Sequence, residues 1–223
     1  MRIGAFTDIH GAFDVVEQIL RHEDTFDVVV LGGDLTTNGT EFEVEEGIHR
    51  VQDLACSVRV VGGNMDPARL EKTFDRLGVS INGKGIVLQN VGFFGVSAAP
   101  FSPLHTPHEI SEDNIARLAE QGFASVLSAR WKVFVPHAPP YGTSLDRIFS
   151  GRHVGSTAIR QFVERRQPDI VVCGHIHEAR GTASLNSAKM INCGAAHDGF
   201  YATITICDDG IVLQNRSFSG SRW

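Results

Sequence analysis

The sequence of 223 residues has few cysteines and no closely spaced pair of them. The four are Cys56, Cys173, Cys193 and Cys207. Zinc knuckles and disulfide frameworks need cysteines at short, regular spacing, so neither kind of structure is indicated. We interpret the four cysteines as small residues of the hydrophobic core.

Long apolar runs and an excess of positive charge are also lacking. No run approaches the roughly 20 residues of a membrane span, and the apolar run after Met1 is too short for a signal peptide. We therefore expect a cytoplasmic protein with no membrane partner. The 20 Lys and Arg against 26 Asp and Glu give a formal net charge of −6. A chain without an extended basic surface binds nucleic-acid backbone poorly, which argues against duplex DNA as a partner.

The composition that remains is that of a soluble globular protein. Hydrophobic residues make up 42% and charged residues 21% of the chain, which excludes disorder. This length suits one large domain or two small ones. Because no linker, repeat or low-complexity tract divides the chain, we take residues 1–223 as a single domain.

Short runs rich in Val and Ile, bounded by turn residues, predict five strands. They are Arg2–Phe6, Asp27–Leu31, Val58–Val61, Trp131–Val135 and Asp169–Cys173. Helical spacing between the early strands, at Phe13–Arg21, at Phe42–Ala55 and after Pro67, predicts a parallel sheet covered on both faces by helices. The β-type runs in 85–96 and 179–218 lack intervening helices, and we expect them to form a second, antiparallel sheet. Residues 97–110 and 138–154 stay irregular, as functional loops often do.

The five predicted strands end in one pattern: an apolar run, usually a Gly or Pro, and then a side chain able to bind a metal. These side chains are Asp8, His10, Asp34, Asn64, His137, His175 and His177. In open α/β sheets the carboxyl ends of the strands line the ligand crevice, and residues two apart in an extended segment project to one side. Each residue alone could be a helix cap, a turn residue or a backbone-bonded histidine. Their joint occurrence favours a shared metal site, with the glycines leaving room for ions and phosphate.

The order of these motifs, Asp-x-His, Gly-Asp-Leu, Gly-Asn-x-Asp, His-Ala-Pro-Pro and Gly-His-Ile-His, resembles the calcineurin-like metallophosphoesterase family. The resemblance extends from Asp8 to His177. The longer sequence segments that contain the last two motifs, starting at His137 and at Cys173, resemble those of a subgroup of small prokaryotic predicted phosphoesterases. The implied fold class is α/β, a two-sheet β-sandwich flanked by helices in four layers, α/β/β/α.

The resemblance also implies two divalent metal ions bridged by Asp34. One site would be completed by Asp8, His10 and His177, and the other by Asn64, His137 and His175. Carboxylate, amide and imidazole ligands suit Mn²⁺, Fe²⁺, Zn²⁺, Ni²⁺ or Co²⁺, with manganese a natural choice, and the absence of thiolates argues against structural zinc. The implied mechanism is in-line attack of a metal-activated hydroxide on phosphorus, with Asp34 and Asn64 as catalytic residues.

One position departs from the family. Its third motif usually reads Gly-Asn-His-Asp, with a His that assists the leaving group, whereas here Met65 cannot donate a proton. The predicted substrate-binding residues are Tyr141, Arg147, His153 and His197. Of these, Tyr141, His153 and His197 are the substitute proton donors that the sequence offers, while Arg147, together with Arg152, is a candidate phosphate binder. For each of them, loop packing or simple solvation is the alternative interpretation.

The predicted function is a phosphodiesterase, because a missing general acid matters least for diesters with acidic leaving groups. The alternatives are a phosphomonoesterase, including a protein phosphatase, and a catalytically weakened metal-binding scaffold for protein interaction. The partner is a small phosphate-ester substrate, with nucleotide-derived esters included. A homo-oligomer is left open, since Phe93, Phe94, Phe101 and Phe149 fit either the core, which we favour, or an association patch.

Overall fold

Two β-sheets pack against each other in a computed structural model that describes residues 1–55 and 57–219. The strands are β1 (Arg2–Phe6), β2 (Val28–Gly32), β3 (Val58–Val61), β4 (Gly85–Leu88), β5 (Val91–Val96), β6 (Ala99–Pro100), β7 (Glu109–Ile110), β8 (Trp131–Pro136), β9 (Ile170–Cys173), β10 (Gly181–Leu185), β11 (Ala188–Asn192), β12 (Phe200–Cys207) and β13 (Gly210–Ser217). The helices are α1 (Phe13–His22), α2 (Glu41–Gln52), α3 (Leu70–Arg76), α4 (Glu112–Ala124) and α5 (Thr157–Arg166). Short 3-10 turns lie at Ser144–Asp146, His177–Ala179 and Ala196–Asp198.

The first sheet has the order β13-β12-β1-β2-β3, and the second has the order β10-β11-β9-β8-β5-β4. Strands β1, β2 and β3 are parallel, and β12 pairs antiparallel with β1. In the second sheet β11, β9, β8 and β5 are parallel, while β10 and β4 are antiparallel edges. The parallel strands of both sheets deliver their carboxyl ends to the same region of the molecule.

The layers follow from the alternation of side chains along each strand. In β2, Val28 and Val30 pack into a cluster between the two sheets, whereas Val29 and Leu31 pack with α1, α2 and α3. In β8, Val133 and Val135 lie between the sheets, and Phe134 packs with α4 and α5. Each strand is therefore apolar on both faces, and the predicted four-layer fold class is confirmed.

Two expectations about the sheets are wrong. In each sheet, helices cover one face and the other sheet covers the second face. The sequence pattern did not predict this arrangement, because a strand that is apolar on both sides does not reveal what covers it. The late β-type runs do not make the second sheet alone, because β12 and β13 extend the first sheet. Helices α4 and α5, which sequence analysis did not identify, begin after Ser111 and Ser156, whose side chains accept backbone N–H groups of Asn114 and Ile159.

The core interpretation of single residues holds in part. Cys173 and Cys193 are buried, but Cys207 is exposed because it closes the β12–β13 hairpin, and Cys56 lies outside the described residues. Phe93 and Phe94 are buried as we favoured. The irregular loops leave Phe101 71% and Phe149 93% exposed, so their assignment to the core is wrong. In residues 1–55 and 57–219, no helix is long and apolar enough to cross a membrane.

Candidate metal centre

The seven predicted ligands come from the strand ends of both sheets. The ends of β1, β2 and β3 carry Asp8, His10, Asp34 and Asn64, and the ends of β8 and β9 carry His137, His175 and His177. Asp8, Asp34, Asn64 and His137 are buried. A side-chain cluster formed in this way exists only when the two sheets are packed together.

The first group of ligand atoms surrounds Asp8. Asp8, His10 and His177 each offer one atom, and these atoms lie within 4.8 Å of one another. The Oδ1 atom of Asp8 is 3.3 Å from Nε2 of His177. Its carboxylate also accepts the backbone N–H of His175, with both oxygens at 3.1 Å. The carboxylate is thus held in place by the strand end that carries the last two histidines.

The second group surrounds His137. Its Nε2 atom is 3.1 Å from Oδ1 of Asn64 and 3.5 Å from Oδ1 of Asp34. Asp8, Asp34 and His137 also offer ligand atoms within 4.8 Å of one another. The other oxygen of Asp34, Oδ2, lies 3.8 Å from Nε2 of His10. The two oxygens of Asp34 therefore face the two different groups.

Hydrogen bonds behind the histidines fix which ring nitrogen faces inward. Nδ1 of His137 lies 3.0 Å from the carbonyl oxygen of Gly32. A carbonyl only accepts, so Nδ1 carries the hydrogen, and the lone pair of the neutral ring lies on Nε2. His10 is held similarly, with Nδ1 at 2.9 Å from Oγ1 of Thr37. Such contacts orient histidine ligands in metal sites.

The electrostatics favour a cation in this centre. Burial lowers the pKa of His175 to about 4, helped by the positive charge of His137. Burial would also lower the pKa of His137, but the negative charge of Asp34 outweighs it and raises the pKa to about 9. In the metal-free protein a proton on His137 balances the buried carboxylates. A divalent cation would supply the same positive charge beside the buried carboxylates, so the residues present fit a metal ion.

Glycines that precede the predicted ligands allow ligand side chains from neighbouring strands to approach the backbone closely. A Cβ atom on Gly63 would lie 2.0 Å from Oδ1 of Asp34, and one on Gly174 would lie 2.2 Å from Oδ2 of Asp8. On Gly33, whose φ is +101°, it would lie 2.3 Å from Nδ1 of His137. The space that these glycines leave is filled by ligand side chains from neighbouring strands.

Four of the predicted ligands adopt left-handed backbone conformations. The φ angles are +56° at Asp8, +49° at His10, +50° at Asp34 and +66° at His175. Non-glycine residues seldom adopt this region, although Asp, Asn and His do so more readily than others. Such strain concentrates at functional sites, and here it turns each chain sharply at the strand end.

Asp66 is a positioning residue that sequence analysis quoted in a motif but did not assign to the site. Its buried carboxylate accepts the N–H groups of Leu35 at 2.9 Å, Thr36 at 2.8 Å and Gly63 at 2.9 Å, and the Thr36 hydroxyl at 2.9 Å. Burial, reinforced by the charge of Asp34, raises the pKa of Asp66 to about 6. These bonds fasten the Asp34 loop to the Asn64 loop.

The loop of residues 97–110 approaches the same strand end, which sequence analysis did not anticipate. The backbone N–H of His108 donates to the carbonyl oxygen of Asn64 at 2.9 Å. Burial and the charge of His137 lower the pKa of His108. Met65 contacts the centre through its backbone, because its N–H donates to Oδ1 of Asp34 at 2.7 Å. Met65 occupies the place of the histidine that the family usually has in this motif. His108, bonded to the neighbouring Asn64, is therefore a histidine close to that place.

Asn192, at the end of β11, is a second positioning residue that the sequence did not reveal. Its buried side chain donates to the carbonyl oxygens of Leu145 at 3.2 Å, Gly174 at 3.3 Å and Ile176 at 2.9 Å. Its Oδ1 accepts the N–H of Gly194 at 2.9 Å. One amide therefore holds the backbone on both sides of His175.

We expect Asn192→Ala to lower the free energy of unfolding by about 3 kcal/mol, because it leaves several buried backbone groups without partners. Urea denaturation measures this change. Asn114→Ala, at an exposed position of α4, serves as the control and should cost less than about 0.5 kcal/mol. Equal stability of the two variants would show that the Asn192 bonds contribute nothing.

The predicted substrate-binding residues fall into two places. His197 lies at the centre, where its Nδ1 is 2.9 Å from the Asp8 carbonyl oxygen and its ring centroid is 5.3 Å from that of His10. Tyr141, Arg147 and His153 lie elsewhere, on the loop of residues 138–154. The rings of Tyr141 and His153 are 6.0 Å apart, and Arg147 and His153 line an open cleft to which, among the described residues, none of the seven predicted ligands contributes.

Comparison with known proteins agrees with this geometry. A family model described as calcineurin-like phosphoesterase matches residues 1–179. Uncharacterized protein MJ1162 of Methanocaldococcus jannaschii is 30% identical over 197 residues, which cover 86% of this chain and 87% of that protein.

Solved structures share the fold. The protein TT1561 of Thermus thermophilus has a TM-score of 0.75 at 13% identity, over 96% of this chain and 98% of that one. A dimetal phosphatase from Danio rerio has a TM-score of 0.69 at 14% identity, over 97% of this chain and 96% of that one. With four-fifths of its sequence covered by the family model, and with its Asp, Asn and His residues gathered at the ends of two packed sheets, the chain belongs to the calcineurin-like phosphoesterase family.

Proposed function

We propose that this protein is a dinuclear-metal phosphodiesterase, formed by residues 1–223 as one domain. The observation that carries the proposal is the position of Asp34. One of its oxygens faces His10 and the other faces His137, so one carboxylate stands between two groups of ligand atoms. Asp8, His10 and His177 would hold one ion, and Asn64, His137 and His175 the other.

Two divalent ions, when bound, supply Lewis acidity that activates water and neutralises charge on a phosphate. The residues of the chain supply the rest. His10 and His137 present Nε2 because their Nδ1 atoms are engaged by Thr37 and Gly32. Burial keeps His175 neutral at pH 7, as a ligand must be. Asp34 and Asn64 are held by the Met65 N–H bond and by the loop that Asp66 fastens.

Four residues are proposed to contact the substrate. His197 is the one at the metal centre, and its Nδ1 bond to Asp8 turns the Nε2 edge of the ring away from the backbone. Tyr141, Arg147 and His153 lie on the neighbouring loop and would contact the part of the substrate away from the scissile bond. Met65 cannot donate a proton to the leaving group, which favours a substrate whose leaving group is acidic.

We expect bis(p-nitrophenyl) phosphate to be hydrolysed with a higher kcat/KM than p-nitrophenyl phosphate. The expected difference is at least about tenfold, equal to 1.4 kcal/mol in transition-state free energy. The kcat/KM values of both esters are measured in parallel with Mn²⁺, Ni²⁺, Co²⁺, Mg²⁺ and Zn²⁺. Removal of metal by a chelator should abolish both activities, and addition of the best ion should restore them.

The same panel separates the alternatives. Faster monoester cleavage under every ion would identify a phosphomonoesterase and overturn the diester preference. Bound metal without turnover of any ester would favour a binding scaffold. The ion that gives the highest activity at equal occupancy would be assigned as the preferred metal. That assignment would take precedence over manganese, Fe²⁺ or any other ion chosen from ligand chemistry alone.

A further inference from the structure

A cleft of 650 Å³ lies between the loop of residues 138–154 and the start of β10. Its polar wall consists of Thr143, Ser144, Arg147, His153, Glu178 and Arg180. Glu178 directly follows His177, a proposed metal ligand. The amide of Asn192 also bonds both Leu145, in the cleft wall, and Ile176, beside that ligand. The cleft and the metal centre therefore share a fixed boundary.

The wall of the cleft is preformed around Asp146. This carboxylate is fully buried and accepts N–H groups from Gly142 at 3.0 Å, Thr143 at 2.9 Å and Gly155 at 3.0 Å. It also lies 2.7 Å from Nδ1 of His153. Four contacts to one carboxylate fix the loop before a ligand arrives, which lowers the entropy cost of binding.

Two arginines and one glutamate line the cleft. Arg147 and Arg180 both line it, and in residues 1–55 and 57–219 neither forms a salt bridge within 4.0 Å. The carboxylate of Glu178 accepts the backbone N–H of Phe149 at 3.3 Å. With the carboxylate of Asp146 behind the wall, two arginines stand against two carboxylates, so the cleft is less negative than a protein of net charge −6 as a whole.

Arg180 is held rigidly at the edge of the cleft. Its guanidinium lies 4.5 Å from the centre of the Phe200 ring and donates to the carbonyl oxygen of Arg216 at 2.9 Å. Within the described part of the chain its buried Nε has no hydrogen-bond partner. Arg147 uses Nε for the carbonyl oxygen of Gly151, at 3.3 Å, and its two Nη groups have no hydrogen-bond partner among residues 1–55 and 57–219, which leaves them for a ligand. Fixed guanidinium groups recognise phosphate oxygens well.

We propose that this cleft binds a second phosphate group of the substrate, beyond the phosphate that is hydrolysed. The inference rests on the proposed function and adds a substrate class to it: phosphodiesters that carry a further phosphate. Arg147 and Arg180 supply charge-assisted hydrogen bonds, and the Ser144 hydroxyl supplies a neutral one. The second phosphate raises specificity without taking part in bond cleavage.

The test compares two esters that differ by one phosphate: the p-nitrophenyl ester of thymidine 5′-phosphate, and the same ester carrying a 3′-phosphate. We expect kcat/KM to be about tenfold higher for the second ester, the factor expected for one charge-assisted hydrogen bond. In Arg147→Gln and in Arg180→Gln the ratio should fall toward one. Arg117→Gln, which removes a charge from an exposed position of α4, should keep the wild-type ratio.

Equal kcat/KM for the two esters in the wild-type protein, or an unchanged ratio in both cleft variants, would overturn the proposal. If neither ester is hydrolysed with any metal, the proposed function fails, and the cleft is then tested by calorimetry with thymidine 3′,5′-bisphosphate and thymidine 5′-phosphate. About tenfold tighter binding of the bisphosphate, lost in Arg147→Gln, would support the cleft independently of turnover. Equal affinity would refute it.

Discussion

The Asp34→Asn variant is expected to lose at least about 10³-fold in kcat for bis(p-nitrophenyl) phosphate, because the two proposed ions would supply several kcal/mol of transition-state stabilisation. Asn has one oxygen where Asp has two, and in the wild-type protein those two oxygens face His10 and His137. An amide of the same shape can still accept the Met65 N–H. The loss should therefore come from the metals and leave the fold intact.

Metal content measured by mass spectrometry should fall from about two ions per chain to one or fewer. Circular dichroism and thermal unfolding test whether the fold survives. Asp53→Asn, at an exposed position near the end of α2, is the matched control and should retain full activity. If Asp34→Asn kept both its metal and its turnover, the bridging role of Asp34 would be wrong.

A single methyl group on Gly63 is expected to disable the centre almost as fully. The added Cβ would lie 2.0 Å from Oδ1 and 2.2 Å from the backbone nitrogen of Asp34. Because one contact is to backbone, a rotamer change cannot relieve it. A shift of about 1 Å at a reacting group costs about 10²-fold in rate, and overpacking costs about 1–3 kcal/mol in stability. Activity, metal content and urea denaturation of Gly63→Ala measure these effects.

Gly78→Ala separates the steric effect from that of glycine replacement itself. Gly78 has a φ of +70°, but a Cβ there would have no atom within 4 Å. The left-handed conformation should cost about 1–2 kcal/mol, with metal content and activity unchanged. Equal loss of activity in the Gly63 and Gly78 variants would contradict the role that we assign to the contact between Gly63 and Asp34.

The sequence predicts the ends of the strands well because the relevant signals are local. An apolar run, a glycine and an Asp or His within a few residues define both the turn and its chemistry, as in the segment from Val30 to Asp34. These signals indicated the seven candidate ligands, whereas the fold class followed from the resemblance to the calcineurin-like metallophosphoesterase family. They do not report which sheet a strand joins, so the second sheet was predicted with too few parallel strands and without β12 in the first.

The remaining site residues depend on contacts between distant segments. Asn192 acts on carbonyl groups 16 to 47 positions away, and His108 reaches Asn64 through a loop. Neither belongs to a local motif. For the same reason the separation of His197 from Arg147 and His153 could not be foreseen, because it follows from how the buried carboxylate of Asp146 folds its loop.

The pairing of β1 with β12 sets a constraint on the order of assembly. Residues 2–5 are partnered by residues 202–205, and the N–H of Ala196 donates to the carbonyl oxygen of Thr7, next to Asp8. At a synthesis rate of about 5–20 residues per second, β1 is made roughly 10–40 s before its partner. Throughout that interval one edge of β1 remains an open edge that can pair wrongly. Mutations in β1 should therefore increase aggregation and chaperone dependence during expression by more than the burial of β1 in the folded protein would indicate.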